Sequence, residues 1–126
     1  MENQSDISTP EDIKLMVDTF YEKVQQNAPL DAVFNGFAEV NWESHLPKMY
    51  AFWEKMLFGT GDYKGRPFDP HVSLPIDGSH FTQWLDIFEK NMDEHFAGSM
   101  AEHAKTRAKN IAQVFESKLA YLHQPH

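Results

Sequence analysis

Hydrophobic positions recur at three- and four-residue spacing in four long stretches of the chain, with polar positions filling the intervals. The first stretch opens at Thr9-Pro10-Glu11-Asp12, a capping hydroxyl followed by a proline at the first helical position and two acids facing the positive end of the dipole. Ile13, Met16, Val17, Phe20, Tyr21 and Val24 then share one face, which predicts a helix to about Asn27 with Tyr21 on its buried side. After Ala28-Pro29, the positions Leu30, Val33, Phe34 and Phe37 predict one or two short turns, stopped at Asn35-Gly36. A second long helix follows, with Trp42, His45, Met49, Phe52, Trp53, Met56 and Leu57 on its apolar face. Ser44 is the expected cap, because it puts Pro47 in the first turn, where backbone N–H groups lack intrahelical partners anyway. His45 then stands at the mouth of that helix, and Gly59 ends it in the left-handed position.

A third helix turns Phe81, Trp84, Leu85, Phe88, Met92 and Phe96 inward and closes at Ala97-Gly98. The fourth opens on a capping box between Ser99 and Glu102 and buries Ala104, Ala108, Ile111, Ala112, Phe115, Leu119 and Leu122. No repeat, low-complexity tract or strand-like alternation is present, so the expected class is all-α.

Between Gly59 and Gly78 the helical period disappears. The piece R-P-F-D-P-H-V-S-L-P, from Arg66 to Pro75, holds three prolines and one histidine and can form neither a long helix nor an inner strand. Loops longer than about 12–15 residues are usually functional or disordered. Tyr63, Phe68, Val72, Leu74 and Ile76 argue against disorder, and Asp69-Pro70 suits the cap of a single turn holding His71. The loop is expected to be ordered and functional.

Composition narrows the partners. With 126 residues, 41% of them hydrophobic, the chain suits one domain over 1–126, with 1–8 and 123–126 as flexible tails. Nineteen acids against eleven scattered basic residues leave a net charge of −8, which disfavours nucleic acid and anionic membranes. The absence of cysteine excludes disulfides, thiolate metal sites, thiolate-ligated haem and a C-x-x-C-H haem attachment. The polar, acidic start M-E-N-Q-S-D-I-S-T-P lacks the features of a secretory signal, and no window approaches a membrane span, so a cytoplasmic protein is expected.

Seven histidines invite a metal reading. His80, His95, His103, His123 and His126 lie near helix ends or beside charges, where solvation accounts for them, and no H-E-x-x-H spacing occurs. His45 shares a face with Trp42 and Met49. His71 sits in a Pro-bounded turn of an apolar loop, where an imidazole is costly to bury without a partner. Phe20, Tyr21, Phe34, Phe52, Trp53, Trp84 and Phe88 all fall on inward faces, as a Phe-rich helical core requires. The same set suits the enclosure of a large flat cofactor, with one histidine on iron and the other facing it. No G-x-S-x-G or phosphate loop is present, and G-T-G-D-Y-K-G lacks the flanking strand and helix of a dinucleotide fingerprint. Three readings remain open at this level: a haem protein, a cofactor-free all-α interaction domain, and a non-haem metal enzyme using His45 and His71 with carboxylates.

In chain order the features are F-Y-E-K-V, V-F-N-G-F, W-E-S-H, F-W-E-K-M-L-F-G-T-G-D-Y-K-G-R-P, P-H-V-S-L-P and F-T-Q-W-L-D-I-F-E. This ordered set, spanning roughly Ile13 to Leu122, resembles the group III truncated haemoglobins. The resemblance implies a globin-like, two-over-two α-helical sandwich holding haem b. It implies that His71 is the proximal iron ligand and Tyr21 the distal tyrosine. Trp84 becomes the pocket tryptophan and His45 the distal histidine, a candidate sixth ligand of the iron, while Phe34, Met49 and Trp53 line the cavity. Dioxygen, nitric oxide and carbon monoxide are the implied ligands. Nitric oxide dioxygenation or peroxidase-like chemistry, an unidentified reductase and a monomeric state complete the expectation.

Overall fold

The computed structural model describes residues 4–37, 39–61, 65 and 76–122, with the side chain of residue 37 left aside. His71 and the rest of Arg66–Pro75 lie outside the described residues. Helix α1 runs from Pro10 to Gln26, α2 from Ala28 to Asp31, α3 from Trp42 to Phe58, α4 from Gly78 to His95 and α5 from Ser99 to Leu122. A six-residue π segment, Ala32–Phe37, follows α2 directly. Among the described residues there is no strand, and no helix is long and apolar enough to cross a membrane.

The start of α1 is built as its sequence predicts. Asp12 N–H donates to Thr9 Oγ1 at 3.2 Å, and the Asp12 carboxylate accepts from the Thr9 and Ser8 backbone in return. The next short pieces are set by Asn27, whose side chain accepts from Leu30 N–H at 3.0 Å. The cap of helix α3 lies three residues before the expected Ser44. Asn41 is its N-cap, its side chain accepting from Ser44 N–H, while Ser44 Oγ donates back to the Asn41 carbonyl at 3.1 Å. Pro47 therefore lies inside the helix rather than in its first turn, on an exposed position, and Glu43 loses the N–H that residue 47 would otherwise give it. Gly59 ends α3 with φ 72°, as expected.

The cap of α5 comes from far away in the chain. The N–H groups of Met100 and Ala101 donate to the two oxygens of Asp6, each at 2.8 Å, whereas Glu102 pairs with Lys105 at 2.9 Å. Residues 4–8, expected as a flexible tail, are thus tied to the α4–α5 corner. Ile7 is buried there, and Ser5 accepts from Ala97 N–H at 3.2 Å.

Helix α1 packs on α3, α4 packs on α5, and α1 also lies against α4. That is the two-over-two sandwich. Ile13, Met16, Val17, Phe20 and Val24 of α1 meet Phe88 and Met92 of α4 in its middle. Ala101, Ala104, Ala108 and Ala112 give α5 a row of small buried side chains at helical spacing, on which α4 can approach closely.

Candidate functional site

The aromatic face of α1 leads into a continuous network of rings. Tyr21 is 7% exposed, and its ring touches those of Phe20, Phe34, Trp42 and His45, at centroid distances of 4.9, 6.0, 5.3 and 5.7 Å. Burial pushes its phenol well above the ordinary tyrosine range, so at neutral pH Tyr21 remains a protonated hydroxyl that can donate.

Trp42 and His45 stand one helical turn apart at the start of α3, their rings edge-on at 5.6 Å. His45 is half-buried with Nε2 sealed from solvent. The indole N–H of Trp42 donates to Asn35 Oδ1 of the π segment at 2.7 Å. Short π stretches concentrate at functional sites because their wide turns re-aim side chains. Here the stretch carries Phe34 onto Tyr21 and Trp42.

Phe20 joins this group to a second. It meets Trp84 at 5.4 Å with perpendicular planes and Phe88 at 5.3 Å. Trp84 and Trp53 stack on Phe88, at 5.8 and 5.2 Å. Of the seven residues singled out above, Tyr21, Phe34, His45, Trp53 and Trp84 therefore belong to one ring network. Met49 is half-buried against the same core. His71 lies outside the described residues. Two further participants, Trp42 and Asn35, were not singled out for the site. Trp42 had a sequence signal in its three-residue spacing from His45, and Asn35 had none.

Among the described residues no three histidine or acidic side chains converge into a metal-binding group, and His71, the second histidine of the non-haem metal reading, lies outside them. Surface hollows of about 380 Å³ on α5 and about 230 Å³ between α1 and α3 contain none of the network residues. Chemistry, not volume, marks the site.

Among the described residues, α1 with α3 and α4 with α5 form two layers around a tyrosine, a histidine and tryptophans stacked on Phe88, the arrangement of a truncated globin. The family model of the bacterial-like globins matches residues 5–118, and the chain belongs to that family, in its group III truncated class. The group 3 truncated haemoglobin of Campylobacter jejuni is 34% identical over 113 residues, covering 86% of this chain and 89% of that protein. The crystal structure of the group III truncated haemoglobin from Campylobacter jejuni matches with a TM-score of 0.84 at 32% identity, covering 98% of this chain and 100% of that one. Membership implies a haem cofactor. The described side chains fit one: aromatic rings, half-buried at Phe34 and Trp84 and backed by the buried Trp53 and Phe88, suit a flat macrocycle, and a tyrosine hydroxyl, an indole N–H and an imidazole are polar groups among them.

Proposed function

We propose that this chain, acting as a single monomeric globin domain in the cytoplasm, holds haem b with His71 as the proximal iron ligand and binds small ligands such as dioxygen, nitric oxide and carbon monoxide. The observation that carries the reading is the contact between buried Tyr21 and His45 inside an otherwise apolar ring network. When bound, haem supplies an iron that takes up diatomic gases and exchanges electrons.

The chain's own residues then decide what is retained. Tyr21 offers an O–H that burial keeps protonated, and Trp84 offers an indole N–H with no acceptor capacity. His45, its Nε2 turned inside, adds a third group able to donate or, in the other tautomer, to accept or ligate. Phe34, Met49 and Trp53 keep water away from these groups, which strengthens each hydrogen bond they make. Several donors converging on one small ligand slow its release. Retention suits redox chemistry better than delivery: nitric oxide dioxygenation, with a reductase returning the iron to its ferrous state, or peroxidase-type turnover.

The test is a hemin titration of the purified chain. A Soret band that saturates at one equivalent supports the reading. Folded, colourless protein that refuses hemin would sink it. His45→Ala resolves the role of His45, since a low-spin spectrum that turns high-spin identifies it as the sixth ligand.

A further inference from the structure

Tyr21 is buried and enclosed by rings of unequal exposure. Among the described residues the rings against it are Phe20, which is 2% exposed, and the half-buried Phe34, Trp42 and His45. Trp42 is the middle of the outer three, touching Tyr21, His45 and Phe34 alike. Its position is tied from outside by the 2.7 Å bond from its indole N–H to Asn35 Oδ1.

Asn35 is itself anchored twice. Its amide nitrogen donates to Asp31 Oδ1 on α2 at 2.5 Å and to Gln25 Oε1 on α1 at 3.5 Å. These acceptors determine which end of the amide meets the indole. A flipped amide would set NH2 against the indole N–H and a carbonyl oxygen against a carboxylate. The π segment is what places Asn35 within reach, seven residues ahead of Trp42 and across the turn between α2 and α3.

We propose that Asn35 latches Trp42 over the Tyr21–His45 pair, and that the two residues together set how readily small uncharged molecules reach Tyr21. Opening requires rotation of one indole and loss of one neutral hydrogen bond, with no movement of a helix. The net worth of such a bond corresponds to about a fivefold change in an equilibrium constant. The identity of the incoming ligand rests on the haem-globin reading, but the cover over Tyr21 does not.

The two parts are tested separately. Tetranitromethane applied to the full chain, followed by peptide mass spectrometry, reports access to Tyr21, with the 66% exposed Tyr121 as internal standard. Asn35→Ala and Trp42→Phe are each expected to raise nitration of Tyr21 relative to Tyr121 by about fivefold, since each removes the same bond. The double variant should gain no more than Trp42→Phe alone. In the haem-loaded protein, carbon monoxide association after flash photolysis should rise by a similar factor. Unchanged Tyr21 nitration in both variants overturns the latch, as does multiplication of the two effects or an unchanged association rate in the loaded variants. Thermal melts confirm folding, and if Asn35→Ala does not fold, Trp42→Phe decides by the same readouts. Failure to bind haem would contradict the functional reading and leave the nitration result standing, so the two failures are distinguishable.

Discussion

Asn91, fully buried on α4, donates its side-chain amide to the backbone carbonyl of Met16 on α1 at 3.1 Å. Its own carbonyl accepts from Lys23 Nζ at 2.8 Å, and Lys23 also reaches Glu94 at 3.2 Å. A polar bridge in the middle of an apolar layer fixes the register of α1 against α4, and those two helices carry Tyr21 and Trp84. Asn91→Ala would take one donor from the Met16 carbonyl, which Thr19 also reaches at 3.3 Å, and leave the half-buried Lys23 ammonium with Glu94 alone. Urea denaturation should show a loss of about 1–2 kcal/mol at unchanged m-value. A loss under about 0.5 kcal/mol would mean that the bridge is incidental.

Asp6 ties the N-terminal segment to α5. Burial pushes its pKa up, but hydrogen bonds from the Met100, Ala101 and Ile7 backbone and from Ser99 outweigh this and hold it below the ordinary 3.8. A depressed carboxyl stabilises the fold fully above its unfolded value and stops doing so as pH falls through the folded one. Asp6→Ala should cost about 1–2 kcal/mol at neutral pH. The gap between variant and parent, followed by denaturant titration, should shrink below pH 3.8. A gap independent of pH would assign the loss to something other than the charge.

Tyr50 of α3 donates a short hydrogen bond to Asp18 of α1. Burial, that bond and the charge of Asp18 push the phenol up to about 12. A phenol raised in the folded state stabilises the protein below its unfolded value of about 10 and loses that contribution as pH climbs through 12. Tyr50→Phe should therefore cost about 1–2 kcal/mol at pH 7, a deficit that closes between pH 10 and 12. A deficit that persists unchanged at alkaline pH would contradict the assignment.

Tyr21→Phe removes the hydroxyl while keeping the ring that packs on Phe20, Phe34 and Trp42. Thermal stability should change little. In the haem-loaded protein, oxygen dissociation measured by stopped flow should accelerate by about tenfold or more, as loss of a donor to a polarised ligand requires. An unaltered rate would place the ligand out of reach of Tyr21.

The parts of the fold that follow from local chemistry were legible in the chain. The capping hydroxyl of Thr9, the buried face of α1 and the left-handed Gly59 each depend on residues within one or two turns of one another. The start of α3 was misplaced because a rule about proline favoured Ser44, whereas the Asn41 side chain had already committed the chain to helix and Pro47 was accommodated on an exposed position. The cap of α5 was not legible at all: Asp6 stands more than ninety residues from the N–H groups it accepts from, so only the assembled fold brings them together. The candidate site divides in the same way. Tyr21, His45 and Trp84 were singled out through helical periodicity and family resemblance, and their rings lie in one network. Asn35 was read as a helix stop, because nothing in local propensity announces a π segment or the indole it will hold.

Histidine ligation of haem by His71 is read from the visible spectrum of His71→Gly measured beside the parent. A Soret band is expected in the parent, with its loss or collapse in the variant and partial recovery when free imidazole is supplied. Identical spectra for the two folded proteins, at equal hemin stoichiometry, would contradict it.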